Sequence, residues 1–283
     1  MSNESDASAV TVIRPTRGWR SLGVHELWEY RELLYFLVWR EVHGRYRQMA
    51  LGPLWILLTP LMNMVIFSVV FGQWAGISTD GLPKPVFYFT ALLPWGLFAV
   101  ATQKSADSLV NNLRVISKVY FPRVVVPCSA VAAGFVDFCM GFVVLAGMMA
   151  WFRILPGGAA FVLPLFLLIA VATALGVGLW LAALSVKFRD VSFGVSTLVR
   201  VWMFASPVIY PTSVVAEKIP ERWLWLYRLN PMAQVIEGFR WGLLGQGLAP
   251  DGTTVASAAL AVTLLVTGAY HFRRTERTIV DYI

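Results

Sequence analysis

Two residues stand where charge is expensive. Asp137 is the sole charge in the apolar run 124–152, and Arg200 is the sole charge in the run 191–210. An ionisable group inside a membrane span faces the bundle interior or a wet cavity and is commonly paired. Two kinds of chemistry are open to them: polar contacts along a path for a hydrophilic solute, or an ion pair that bridges two spans. Catalysis is not indicated. Ser, His and acidic residues converge on no motif, and a membrane-embedded transferase would need a cluster of acids or His at one membrane face. His25, His43 and His271 are scattered along the chain and make no case for an intramembrane metal site. Cys128 and Cys139 are eleven residues apart, about 16 Å along a helix, too far to bond within one chain.

The elements that must hold Asp137 and Arg200 follow from composition. Of 283 residues, 58% are hydrophobic and 14% charged, so much of the surface must face lipid. The net charge of +7 is not gathered on one polar domain, which argues against nucleic acid as a partner; the basic residues sit between apolar runs, where they set topology. A spanning helix needs roughly 20 mostly apolar residues. Six stretches read as spans: 51–71, 86–102, 124–152, 161–186, 191–210 and 253–272. The expected fold is an all-α integral membrane protein with six transmembrane helices and both termini on one side. Segments 1–50, 103–123, 187–190 and 273–283 hold sixteen of the 23 Lys and Arg, whereas 72–85, 153–160 and 211–252 hold six. Loops rich in Lys and Arg stay in the cytoplasm, which predicts cytoplasmic termini. Residues 1–24 lack an apolar h-region, so a retained, mobile polar segment is expected there, and 273–283 form a cytoplasmic tail.

The outer region 211–250 is too apolar for a plain loop. Its two apolar pieces break at Asn230-Pro231 and each is too short to span, which predicts a short re-entrant helical hairpin between helices 5 and 6. Charges in and beside it balance: Lys218, Arg222, Arg228 and Arg240 against Glu217, Glu221, Glu237 and Asp251. Trp202, Phe204 and Tyr210 on the fifth span, with Trp223, Trp225, Tyr227 and Trp241 beyond it, load one interface with aromatic rings, as membrane belts do.

On the inner side, residues 25–50 read as an amphipathic helix lying at the membrane interface. Leu27, Tyr30, Leu34, Leu37 and Val38 fall on one face, and Glu29, Glu32 and Arg40 share a narrow stripe opposite. The basic cluster Arg40, Arg45 and Arg47 is expected among lipid headgroups, and Gly52-Pro53 lets the chain turn into the first span. This helix is either an anchor or a lever that passes force from a cytoplasmic partner to the first span. The loop 103–123 carries a second short basic amphipathic segment. Its residues Val115, Ile116, Val119, Tyr120 and Phe121, beside Lys118, are more apolar than a solvated turn requires, and a docking face for another protein is expected.

Five segments then carry a family likeness in order: "LGPLWILLTPLMNMVIFSVVFG" (51–72), "YFPRVVVPCSAVAAGFVDF" (120–138), "LSVKFRDV" (184–191), "SPVIYP" (206–211) and "LNPMAQVIEGFRWGLLG" (229–245). Together they closely resemble the permease subunit of type-2 ABC exporters for cell-surface polysaccharide, such as O-antigen and teichoic acid. The likeness covers roughly residues 25–272. It implies a permease domain over 51–272, and a coupling helix within 103–123 that docks in a cleft of an ABC ATPase. It further implies a second copy of the chain, two ATPase subunits, and export of a lipid-linked glycan across the inner (cytoplasmic) membrane. No cofactor is expected on this chain, with ATP and Mg on the partner ATPase; no G-x-x-x-x-G-K-[ST] occurs here. On this reading Asp137 and Arg200 are candidate channel contacts to sugar hydroxyls. Trp202, Phe204, Tyr210, Trp223, Trp225 and Tyr227 are candidate exit aromatics, whose flat faces suit sliding pyranose rings. The alternatives are a permease for another cargo, such as a drug or lipid, and a transferase acting on the glycan lipid.

Overall fold

The computed structural model describes residues 24–46, 54–118, 121–188, 190–218 and 220–276. In lipid every backbone N–H and C=O must be paired within its own segment, so apolar runs of this kind become helices. In chain order they are α1 (Val24–Glu29), α2 (Arg31–Tyr46), α3 (Leu54–Phe67, continued by the π-helical turn Ser68–Trp74), α4 (Lys84–Asn111), α5 (Leu113–Ile116) and α6 (Val125–Trp151). After a 3-10 turn at Ala160–Val162 follow α7 (Leu163–Lys187), α8 (Asp190–Phe204), α9 (Thr212–Lys218), α10 (Glu221–Arg228), α11 (Pro231–Leu244) and α12 (Gly252–Glu276).

Helix α4 is the axis of the bundle. Its residues from Val86 to Trp95 are all buried, between α6 on one side and α7 on the other. Helix α12 lies along α7 in the same direction, with backbones in close approach: a Cβ on Gly176 would stand 2.6 Å from the backbone N of Leu265. Only glycine fits there. Helix α3 is the least embraced, and Leu54, Trp55, Met62, Val65 and Ile66 on it are exposed.

Among the described residues, five segments are long and apolar enough to cross a membrane: Leu57–Trp74, Lys84–Asn111, Val125–Trp151, Ala160–Lys187 and Gly252–Glu276. The expected span 191–210 is not a single long helix. Helix α8 has 15 residues and ends at Phe204, and the chain turns through 205–211. Pro207 and Pro211 supply the reason, since neither can donate an intrahelical hydrogen bond and each pushes the preceding residue out of the helical region.

The break foreseen at Asn230-Pro231 is present. Asn230 accepts a hydrogen bond from the backbone N of Met232, Pro231 takes the first helical position, and Gly245 ends α11 at φ 66°. Those are the usual residues for an N-cap, a first turn and a left-handed C-terminus. Helix α11 has 14 residues, about 21 Å, and packs against α7, α4 and α12 with Pro231 to Arg240 all buried. At the opposite end of the bundle a second apolar cluster joins Leu37 of α2, Leu109 of α4, Ile116 of α5, Val125 of α6, Ala182 of α7 and Phe272 of α12.

Candidate functional site

A cavity of about 1120 Å³ lies between α3, α4, α6 and α8. Asp137 and Arg200 both line it. Asp137 comes from the middle of α6 and Arg200 from the second half of α8. The rest of the lining is mostly apolar, including Trp55, Phe67, Trp95 and Phe138, with Thr59, Asn63 and Lys104 as further polar contributors. Charged groups in such a wall are held away from hydrocarbon and toward water or a polar solute. The cavity is open to one side, because Trp55, Asn63, Val100, Arg200 and Phe204 line it and remain exposed. Asn63 and Lys104 were not singled out from sequence. Asn63 could have been found, as a lone amide within the run 51–71.

The six candidate exit aromatics separate. Phe204 lines the cavity. Trp202 turns inward instead: its ring meets Phe98 edge-on at 4.9 Å, and its Nε1–H donates to Asn230 Oδ1 at 2.9 Å. Tyr210 donates its hydroxyl to the carbonyl of Phe204 at 2.6 Å, closing the turn after α8. Trp223 and Trp225 are exposed on α10, and Tyr227 is half-buried there.

The hairpin end contains a polar node that charge counting missed. Glu237 and Arg240 are not solvated loop charges; they are 4% and 1% exposed and form an ion pair at 3.2 Å. The Arg240 guanidinium lies 3.7 Å from the centroid of the Phe87 ring and donates to the carbonyls of Val208 at 3.3 Å and Tyr210 at 3.5 Å. Glu237 accepts from the backbone N of Leu248 at 3.2 Å. Asn230 adds donations to Ala205 O at 3.2 Å and Ser206 Oγ at 3.0 Å. Thus "SPVIYP" and "LNPMAQVIEGFRWGLLG", separated in sequence by α9 and α10, meet here. A buried ion pair is tolerated when its remaining donors and acceptors find partners, and most of these do. The signal in the sequence was the i, i+3 spacing of Glu237 and Arg240 on an apolar helix.

At the other end, the single helix expected over 25–50 is broken at Tyr30 into α1 and α2. Leu27 of α1, Tyr30 at the break, and Leu34 and Leu37 of α2 share one side, and that side packs on the second apolar cluster of the protein. The opposite side is aromatic as well, with Trp28, Tyr35, Phe36 and Trp39 exposed, the composition of a headgroup boundary. Arg40 departs from expectation: it is half-buried and donates to Asn112 Oδ1 at the start of α5, so it does not point to the headgroups. Its neighbour Glu41 pairs with Lys104 of α4 at 2.7 Å. In α5, Val115 is half-buried and Ile116 is buried in the second cluster, so Ile116 fastens α5 from beneath while Lys118 is exposed. Phe121 is also buried. Val119 and Tyr120 lie outside the described residues, as do Arg47 and Gly52-Pro53. Arg123 ties the segment to α12, donating to the Glu276 carboxylate from its backbone N at 2.9 Å and to the Glu276 carbonyl from its side chain at 2.7 Å.

Fold and site together define a multi-pass membrane protein built around a side-opening cavity, with a fastened amphipathic helix at one end. The chain belongs to the ABC-2 type transporter family, whose model matches residues 32–244, from the start of α2 to the end of α11. It is 32% identical over 257 residues to the O-antigen export system permease protein RfbA of Myxococcus xanthus, covering 89% of this chain and 96% of that protein. A protein of the same name from Klebsiella pneumoniae is 27% identical over 210 residues, covering 74% of this chain and 79% of that one.

Proposed function

We propose that this chain is the permease subunit of an ATP-driven ABC exporter that carries a lipid-linked, O-antigen-like polysaccharide across the inner membrane. It works as a pair of copies with two ABC ATPase subunits, which bind ATP and Mg. The observation that carries this reading is the cavity: two intramembrane charges line one wall, which is left open where α3 and α8 expose Trp55, Arg200 and Phe204. A second copy on that side encloses the space and gives a polymer a path. Family membership supports a transporter, and the names of the relatives support an O-antigen-like cargo.

On this reading the α5 end is cytoplasmic, since the segments richest in Lys and Arg gather there. The chain crosses six times, the fifth by α8 and the turn after it. Contacts at both ends of α8 support that crossing: the Gln103 side chain donates to Ser192 O at 3.4 Å near one end, and Trp202 reaches Asn230 at the other. Helices α10 and α11 form a re-entrant hairpin entered from the outside, with α11 buried against protein and α10 at the surface, where Trp223 and Trp225 are exposed. Val115 and Lys118 face the ATPase.

Co-expression with an ABC ATPase subunit from the same genome tests the proposal. The expected product is an ATP-hydrolysing complex with two copies of each subunit, and cells lacking this chain should retain the polymer inside. An active complex holding one copy, or normal surface polymer without the chain, would overturn it.

A further inference from the structure

Helix α2 is fastened to the end of α4 by two consecutive residues. Arg40 donates to Asn112, the residue between α4 and α5, while Glu41 pairs with Lys104 at 2.7 Å. Asn112 in turn donates its amide to Ser108 O at 2.8 Å, so it is held to the last turn of α4. Lys104 and Asn112 are eight residues apart, about 12 Å along the axis. The two contacts therefore clasp more than two turns of α4. Between them lies a small polar pocket of about 160 Å³, lined by Arg40, Glu41, Lys104, Asp107 and Asn112. Lys104 also lines the large cavity. One residue thus touches the interface helix on one side and the cavity wall on the other.

Half-exposed ion pairs add little to stability, so a stabilising role does not explain this one. What it fixes is register. An apolar face alone lets a helix slide or roll, whereas two polar contacts at separate heights specify one position. We propose that Glu41 and Lys104, with Arg40 and Asn112, are positioning residues for energy coupling. They make α2, α5 and the end of α4 one body, so that force from the ATPase reaches the cavity wall. The inference rests on the transport reading above and assigns it a transmission path.

The test uses the reconstituted complex with its ATPase and measures glycan exported per ATP hydrolysed. Glu41→Lys and Lys104→Glu should each lower that ratio about tenfold while association and ATP hydrolysis persist, and the double exchange should recover it to within about threefold of the parent. Single reversals that match the parent, or an exchange no better than either single in assembled complexes, would overturn the proposal. Should the reversals fail to assemble, Glu41→Gln and Lys104→Gln decide: a lowered ratio supports the clasp and a parental ratio sinks it. An arm independent of export uses spin labels at the exposed Tyr35 and Val110. Their separation should stay unchanged between ATP-free and ATP-bound complexes, and a nucleotide-dependent change in the parent would contradict a single body. If the parent hydrolyses ATP and exports nothing, the transport reading fails, and the label distances still judge the clasp.

Discussion

Glu237 with Arg240 and Asp137 with Arg200 place the same functional groups in two surroundings. The first set is sealed inside the hairpin end, where Phe87, two carbonyls and a backbone N–H surround it. The second lines a large cavity, with Arg200 exposed at its open side. A buried charge without its partner is strongly unfavourable, whereas a charge in the wall of an open cavity can reach water or a polar solute. The two surroundings suggest separate roles: the sealed set holds the hairpin end together, and under the proposed function the open set meets the passing solute.

The largest expected effect strikes the sealed set. Arg240→Met strands Glu237 and should cost about 3–5 kcal/mol, read as a lowered unfolding midpoint in detergent. Adding Glu237→Gln should recover part of the loss, because contacting residues are coupled. A parental midpoint for Arg240→Met would break the comparison at its first half. Next comes Asn230→Ala, which removes the cap of α11 and the partners of Trp202 and Ser206. It should cost about 1–2 kcal/mol in the same measurement, and an unchanged midpoint would show that the hairpin does not depend on this node.

The smallest effect on stability belongs to Arg200→Leu, within about 0.5 kcal/mol, because the residue is exposed and its loss makes α8 more apolar. Export should nevertheless fall. Combining it with Asp137→Asn sharpens the reading: recovery of export relative to the single variant indicates a coupled pair, and continued loss indicates separate contacts with the cargo. Normal export by Arg200→Leu would remove the open set from the transport path.

Sequence patterns reached some of these features and not others, for physical reasons. The shared face of α1 and α2 was legible because Leu27, Tyr30, Leu34 and Leu37 repeat at helical spacing, though the break at Tyr30 was not. The direction of Arg40 was not, since it depends on an acceptor 72 residues away. The hairpin break was legible because Asn-Pro has one favourable place at a helix start. Glu237 and Arg240 were hidden because hydropathy cannot separate a sealed pair from two solvated charges of opposite sign. Trp202 read as an interfacial ring, yet its indole N–H is committed to Asn230, which only the folding back of the hairpin onto α8 supplies. The short reach of α8 was half-visible: Pro207 and Pro211 mark the stop, but an apolar run masks where a helix ends.

Under the proposed function, glycan passes through the cavity shared by α3, α4, α6 and α8. A photoreactive benzoylphenylalanine placed at Phe204, which lines the cavity, can be compared with one at Val143, which is 70% exposed on α6 and outside the lining. In exporting cells, illumination should attach glycan to the chain at Phe204 and not at Val143. Equal labelling at the two positions, or none at Phe204 while export proceeds, would contradict it.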